Sequence, residues 1–187
     1  MPIDNTIHSR RGQTLVEALI ALSILTMGFT GIVTLLNKSF QLNRTATDET
    51  QATFLASEGI EIAKNIIDYD VYLGLPNNND WGCSFELGAG QSGDYALAYD
   101  TTPAPPATCP PAQPMRLLAS DKLYFDPATH RYSYSNIYTP TDFTRDVHIS
   151  VPLNSPNEFD VQSVVTWTNG TISNTITLED HFYNWYP

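Results

Sequence analysis

The sequence is poor in positive charge and in cysteine. Over one long stretch it is also poor in proline and in charge of either sign. Nine Lys and Arg stand against twenty Asp and Glu, a net charge of −11 over 187 residues. Nonspecific nucleic-acid binding rests on Lys and Arg neutralising phosphates, so no nucleic acid is expected as a partner. The two cysteines, Cys83 and Cys109, form no C-x-x-C pair and lie near no histidine, which argues against a structural metal site. All thirteen prolines lie outside the stretch Ile3 to Leu75. An interior proline costs a helix about 3 kcal/mol, so that stretch is free to be one helix. Of twenty-one aromatic residues only three precede Asp68, so the core of a globular domain begins after it. The four histidines, His8, His130, His148 and His181, sit in no G-x-S-x-G, H-E-x-x-H or phosphate-binding glycine loop. No enzyme, catalytic residue, cofactor or metal site is expected.

What is present is a segment from Ser9 to Leu36, S-R-R-G-Q-T-L-V-E-A-L-I-A-L-S-I-L-T-M-G-F-T-G-I-V-T-L-L. A basic flank leads to Gly12. An apolar run follows whose one charge is Glu17, with no ionisable group from Ala18 to Leu36. As helix, Gln13 to Leu36 is roughly 36 Å long, enough to cross a hydrocarbon core of about 30 Å. One reading is a plain signal anchor or uncleaved signal peptide. Against it, a secretory signal has a shorter apolar region with its cleavage site behind it. A carboxylate near the centre of a span also costs about 2.5–3.5 kcal/mol, for which an anchor has no use. An α-amine at a new N-terminus close to Glu17 would offset that cost. Arg10 and Arg11 keep the N-terminus in the cytoplasm and place the chain after Leu36 outside, where disulfides persist. A Cys83–Cys109 bridge is preferred to two buried free thiols. It would close a loop of about 27 residues and stabilise by about 3–4 kcal/mol in the chain-entropy model.

R-G-Q-T-L-V-E-A-L-I-A-L-S-I-L resembles the prepilin-type cleavage and methylation motif of type IV pilins and pseudopilins. The resemblance implies a cut by prepilin peptidase between Gly12 and Gln13, with N-methylation of Gln13. It makes Glu17 the acidic residue that pairs with the amine of a neighbouring subunit. Gln13 departs from the family, which most often has Phe or Met there. The implied partners are the peptidase, other pilin or pseudopilin subunits, an inner-membrane assembly platform and membrane lipid. The chain would be a single-pass membrane protein before assembly, then part of a cell-surface or periplasmic filament. A-S-E-G-I-E-I-A-K-N-I-I-D and the last strands resemble minor pilins of the PilV type or the minor pseudopilin I of type II secretion. The implied function is a structural, minor filament subunit. The alternative is a tip adhesin or a signal-anchored surface binding protein that does not polymerise.

The expected organisation is a leader (1–12), a transmembrane or filament-core helix (13–36), its amphipathic continuation (37–68) and a β-rich extracytoplasmic domain (69–187). Ala52, Leu55, Ala56, Gly59, Ile62, Ala63 and Ile66 draw one apolar stripe at helical spacing. Glu58, Glu61, Lys64 and Asn65 lie off it and are expected to face water. Residues 74–114, rich in Gly, Asn and Pro, read as a long surface loop with a short strand near Asp94 to Tyr99. Within it, Asn77-Asn78-Asn79-Asp80 reads as turn chemistry rather than a calcium loop. Lys122 to Asp126 and Arg131 to Ser135 form a hairpin. Tyr124, Tyr132, Tyr134 and Tyr138 serve in sheet packing. Phe143 to Val151 alternates, with Phe143, Val147, Ile149 and Val151 on one side. Val161 to Asn169 and Thr171 to Leu178 join at Asn169-Gly170, a hairpin signal that pairs Trp167 with Ile172 and Val165 with Asn174. Val161, Val165, Trp167, Ile172, Ile176 and Leu178 then meet the helix stripe, and the aromatic tail with His181 folds back. The fold class is α+β: a long N-terminal helix packed by its far half on a small antiparallel sheet, in the shape of a ladle.

Overall fold

The computed structural model describes residues 11–73, 80–101 and 122–184. One long apolar N-terminal helix precedes a small antiparallel sheet, an α+β architecture. By internal packing the chain divides into Met1–Ala46 and Thr47–Pro187.

The first unit is the opening part of α1 (Arg11–Leu73). Every side chain described here, from Gln13 to Ala46, is exposed. The hydroxyls within the apolar run donate to the helix itself: Ser23 to the Leu19 carbonyl at 2.8 Å, Thr30 to that of Thr26 at 2.8 Å and Thr34 to that of Thr30 at 2.8 Å. Such back-bonding leaves no unmet donor for a hydrocarbon surround to penalise. Gly28 and Gly31 have open space where a Cβ would stand, so nothing among the described residues requires their smallness.

In the second unit the remainder of α1 packs on a six-stranded sheet. The strands are β1 (Ser92–Tyr95), β2 (Lys122–Asp126), β3 (Arg131–Ser133), β4 (Thr139–Ser150), β5 (Glu158–Asn169) and β6 (Ile172–Tyr183). A short 3-10 turn at Asp80–Phe85 precedes β1. The strand order is β3-β2-β4-β5-β6, all antiparallel, and β1 also pairs with β4. β2 pairs along Thr139 to Thr144 of β4 and β1 along Val147 to Ser150. A gap is left between them at Arg145.

The helix stripe is buried as its spacing predicts, except that Ile62 is half-buried, and two apolar clusters form on it. Ala52, Leu55 and Ala56 meet Leu123, Phe143, Val165 and Trp167. Ala63, Ile66 and Ile67 meet Phe85, Tyr95, Leu97, Val147, Ile149, Val151, Phe159 and Val161. Between the clusters Gly59 lies against Ser163, Val147 and Arg145. Tyr132 and Tyr134 pack on the first cluster, as expected of the tyrosine hairpin.

Several expectations are corrected. α1 ends at Leu73 rather than near 68. There Asp70 is buried and accepts from the Ser84 amide (2.9 Å) and hydroxyl (2.7 Å), which ties the 3-10 turn to the last helical turn. The first short strand is Ser92–Tyr95, not Asp94 to Tyr99. The β5–β6 hairpin turns at Gly170-Thr171, so Asn169 pairs with Ile172, Trp167 with Asn174 and Val165 with Ile176. The reason lies in the backbone. A type I′ turn centred on Asn169-Gly170 needs positive φ at both residues, but only Gly170 (φ 67°) has it. Glycine at the first central position of a two-residue loop is the type II′ arrangement, and Asn169 stays in the strand. Ile172 consequently sits beside the turn on the outermost strand at 65% exposure and does not join the core layer. Ile176 and Leu178 do pack against it. The described part of the tail does not fold back; β6 continues through His181 to Tyr183, opposite Asp160 and Glu158, and residues 185–187 lie outside the described residues.

Candidate functional site

The residues of the expected processing site lie at the start of α1. Gly12 and Gln13 fall in its first turn, and Glu17 follows one turn later with its side chain exposed. Gln13, Val16, Glu17, Ile20, Ala21 and Ile24 recur along the exposed helix around Glu17. Their three- and four-residue spacing places them on one helix face. The face is apolar except for Gln13 and Glu17, so a partner lying along it meets one carboxylate in an otherwise oily surface. Residues 1–10 lie outside the described residues.

Of the two cysteines, Cys83 stands in the 3-10 turn, buried and disulfide-bonded. Cys109 lies outside the described residues, as do 102–121 and Asn77-Asn78-Asn79 of the expected loop.

Two arrangements were missed by the sequence reading. The first is Arg145, fully buried on the inward face of β4. Its guanidinium donates to Glu58 Oε2 (2.8 Å), to the Leu55 carbonyl (2.8 Å) and to the Leu97 carbonyl (2.5 Å). The Tyr134 hydroxyl donates to the Arg145 carbonyl at 3.0 Å, inside the gap between β1 and β2. Glu58 was expected to face water. Its side chain is only 33% exposed because a buried cation needs it. The strand alternation that puts Phe143 and Val147 inward puts Arg145 inward too, so the signal was present.

The second lies on the outer face of the β5–β6 hairpin. Glu158 and Asp160 stand two apart on β5, and His181 and Tyr183 face them from β6. The His181 ring nitrogen Nδ1 is 3.1 Å from Glu158 Oε1 and is in direct contact with Asp160 Oδ1. The Tyr183 hydroxyl donates to Glu158 Oε1 at 2.8 Å. That bond is the main cause holding the Glu158 carboxyl below its ordinary range, and His181 assists. For His181, burial pulls the imidazole down, but the charges and hydrogen bonds of Asp160 and Glu158 together outweigh it and raise its pKa. A similar but smaller pair, His148 Nδ1 with Asp94 Oδ1 at 2.6 Å, bridges β4 and β1. No sequence pattern signals the larger cluster, because its members come together only through the observed register.

Residues 7–33 match the family model described as the prokaryotic N-terminal methylation motif. The match covers the basic flank, Gly12, Gln13, Glu17 and most of the apolar run, and it supports a type IV pilin-like chain. Together with the apolar helix near the N-terminus it fits a membrane-anchored protein. No curated protein and no solved structure matches the chain.

Proposed function

We propose that this protein is a structural, minor subunit of a type IV pilus or of a type II secretion pseudopilus. Prepilin peptidase cuts between Gly12 and Gln13 and methylates the new terminus. The processed chain waits in the membrane with its sheet domain outside. An inner-membrane platform then draws it into a filament of pilin or pseudopilin subunits. One observation carries this reading: the methylation motif at 7–33 coincides with the start of an apolar helix whose described side chains are all exposed up to Ala46. A helix bare all round calls for an apolar surround, first lipid and then the same helix of sister subunits. Within that surround Glu17 is costly when alone and is stabilised by a neighbour's α-amine. On the outer side Cys83 bridges Cys109, so that the loop between them is tethered.

The test is the N-terminus of the protein taken from membranes. Sequencing is expected to begin at Gln13 in the parent, and Gly12→Ala is expected to retain Met1. A parent chain that keeps Met1 would instead assign the protein to the anchored surface class.

A further inference from the structure

We propose that Glu158, Asp160 and His181 bind one divalent transition-metal ion of the zinc class on the outer face of the β5–β6 hairpin. The ladder positions all three: Asp160 stands directly opposite His181, and Glu158 is two residues away on the same strand face. His181 Nδ1, Asp160 Oδ1 and Glu158 Oε1 all lie within 4.8 Å of one another.

Two features distinguish this set from a solvated acidic patch. The first is the donor set. Both carboxylates approach the same imidazole nitrogen, whose single N–H has one direction in which to donate. With that nitrogen deprotonated, it and the two oxygens supply three ligand atoms to one ion, about 2.0–2.2 Å from each once the Asp160–His181 pair opens to admit it. The second is the state of Asp160 Oδ1. The atom itself is shut off from solvent, and its neighbour is the His181 ring nitrogen that lies against it. A cation that takes the place of the proton between them meets both atoms.

The surroundings hold the ligands in place. Tyr183 fixes Glu158 Oε1, and the Asn184 amide donates to the Asn157 carbonyl at 2.9 Å, closing the ladder beyond the site. Glu179 Oε1 lies 3.8 Å from His181 Nε2, on the far side of the ring. At that distance it accepts no hydrogen bond from the ring, but its charge favours a cation on the imidazole. An imidazole nitrogen with two oxygens suits zinc and its neighbours better than calcium or magnesium, which take oxygen alone. Three protein ligands leave one position open to water or to a donor from another molecule. The ion would clip the outermost strand to β5.

The experiment uses the untagged full-length chain in detergent micelles, stripped with a chelator and titrated calorimetrically with zinc chloride. One ion per chain is expected. His181→Ala and Asp160→Asn should each weaken binding at least tenfold, and His148→Ala should leave it unchanged. Zinc should raise the melting temperature of the parent and not of His181→Ala. Cobalt(II) added to the unaltered chain needs no variant: visible d–d bands should grow to saturation at one equivalent. Absence of saturable zinc binding, absence of cobalt bands, or parent-like affinity in His181→Ala would each overturn the proposal.

Discussion

Gly59 has no side chain because its neighbours already fill the space. A Cβ there would stand 2.5 Å from Ser163 Oγ, 3.1 Å from Val147 Cγ2 and 3.3 Å from Arg145 Cδ. Helix propensity alone favours alanine by about 1 kcal/mol, whereas overpacking costs about 1–3 kcal/mol. Gly59→Ala is therefore expected to lower stability by about 1 kcal/mol net. Ser163 Oγ is buried and has no hydrogen-bond partner among the described residues. Ser163→Ala removes both an unmet hydroxyl and the nearest obstacle, and should raise stability by about 1 kcal/mol. In that background Gly59→Ala should cost less than in the parent. A double-mutant cycle by denaturant unfolding checks this, and additivity within about 0.3–0.5 kcal/mol would refute the close contact. Arg145 belongs to the same belt. A buried guanidinium is tolerable only with its donors met, and two backbone carbonyls, a carboxylate and a tyrosine hydroxyl meet them.

Among the elements, the β2–β3 hairpin carries its own pH dependence. Asp126 accepts from the Thr129 hydroxyl at 2.7 Å and from the Ala128 amide at 2.8 Å. These bonds, Thr129 first, hold its carboxyl below the ordinary range. A carboxylate whose folded pKa is depressed contributes stability that is present above the unfolded pKa and is lost as pH falls through the folded one. Thr129→Val should move the Asp126 carboxyl upward in a carbon-13 titration, so that protonation in the folded state begins at higher pH than in the parent. An unchanged titration would show that the hydroxyl is not what depresses it. This hairpin was legible because Asp126-Pro127-Ala128-Thr129 is local turn chemistry between two alternating runs. The buried half of α1 was legible for a similar reason, since three- and four-residue spacing needs no partner to be read. The β5–β6 register was not. Asn169-Gly170 named the right hairpin, but which residue takes the first central position depends on how the ladders pack beyond the turn. The outer-face cluster was lost with it, because the expected strands stopped at Val161 and Leu178, short of Glu158, Asp160 and His181. The methylation motif at 7–33 was the most legible part, since it is carried by spacing along one segment.

At the scale of the molecule, the two units differ in what supports them. Both apolar clusters draw only on residues from Ala52 onward, and nothing described from Gln13 to Ala46 is buried. A chain beginning at Thr47 is therefore expected to keep a cooperative thermal transition in aqueous buffer without detergent, followed by circular dichroism. A broad, non-cooperative melt would show that the preceding helix is needed for folding. The bond from Arg145 to the Leu55 carbonyl spans 90 positions of sequence. At about 5–20 residues per second, a ribosome needs on the order of ten seconds to travel from one to the other. Throughout that interval the nascent chain carries Leu55 and its fellows uncovered, and β5, which supplies half of their cover, is made later still. Each newly made copy is thus a client for whatever keeps such helices from adhering to one another before the sheet arrives.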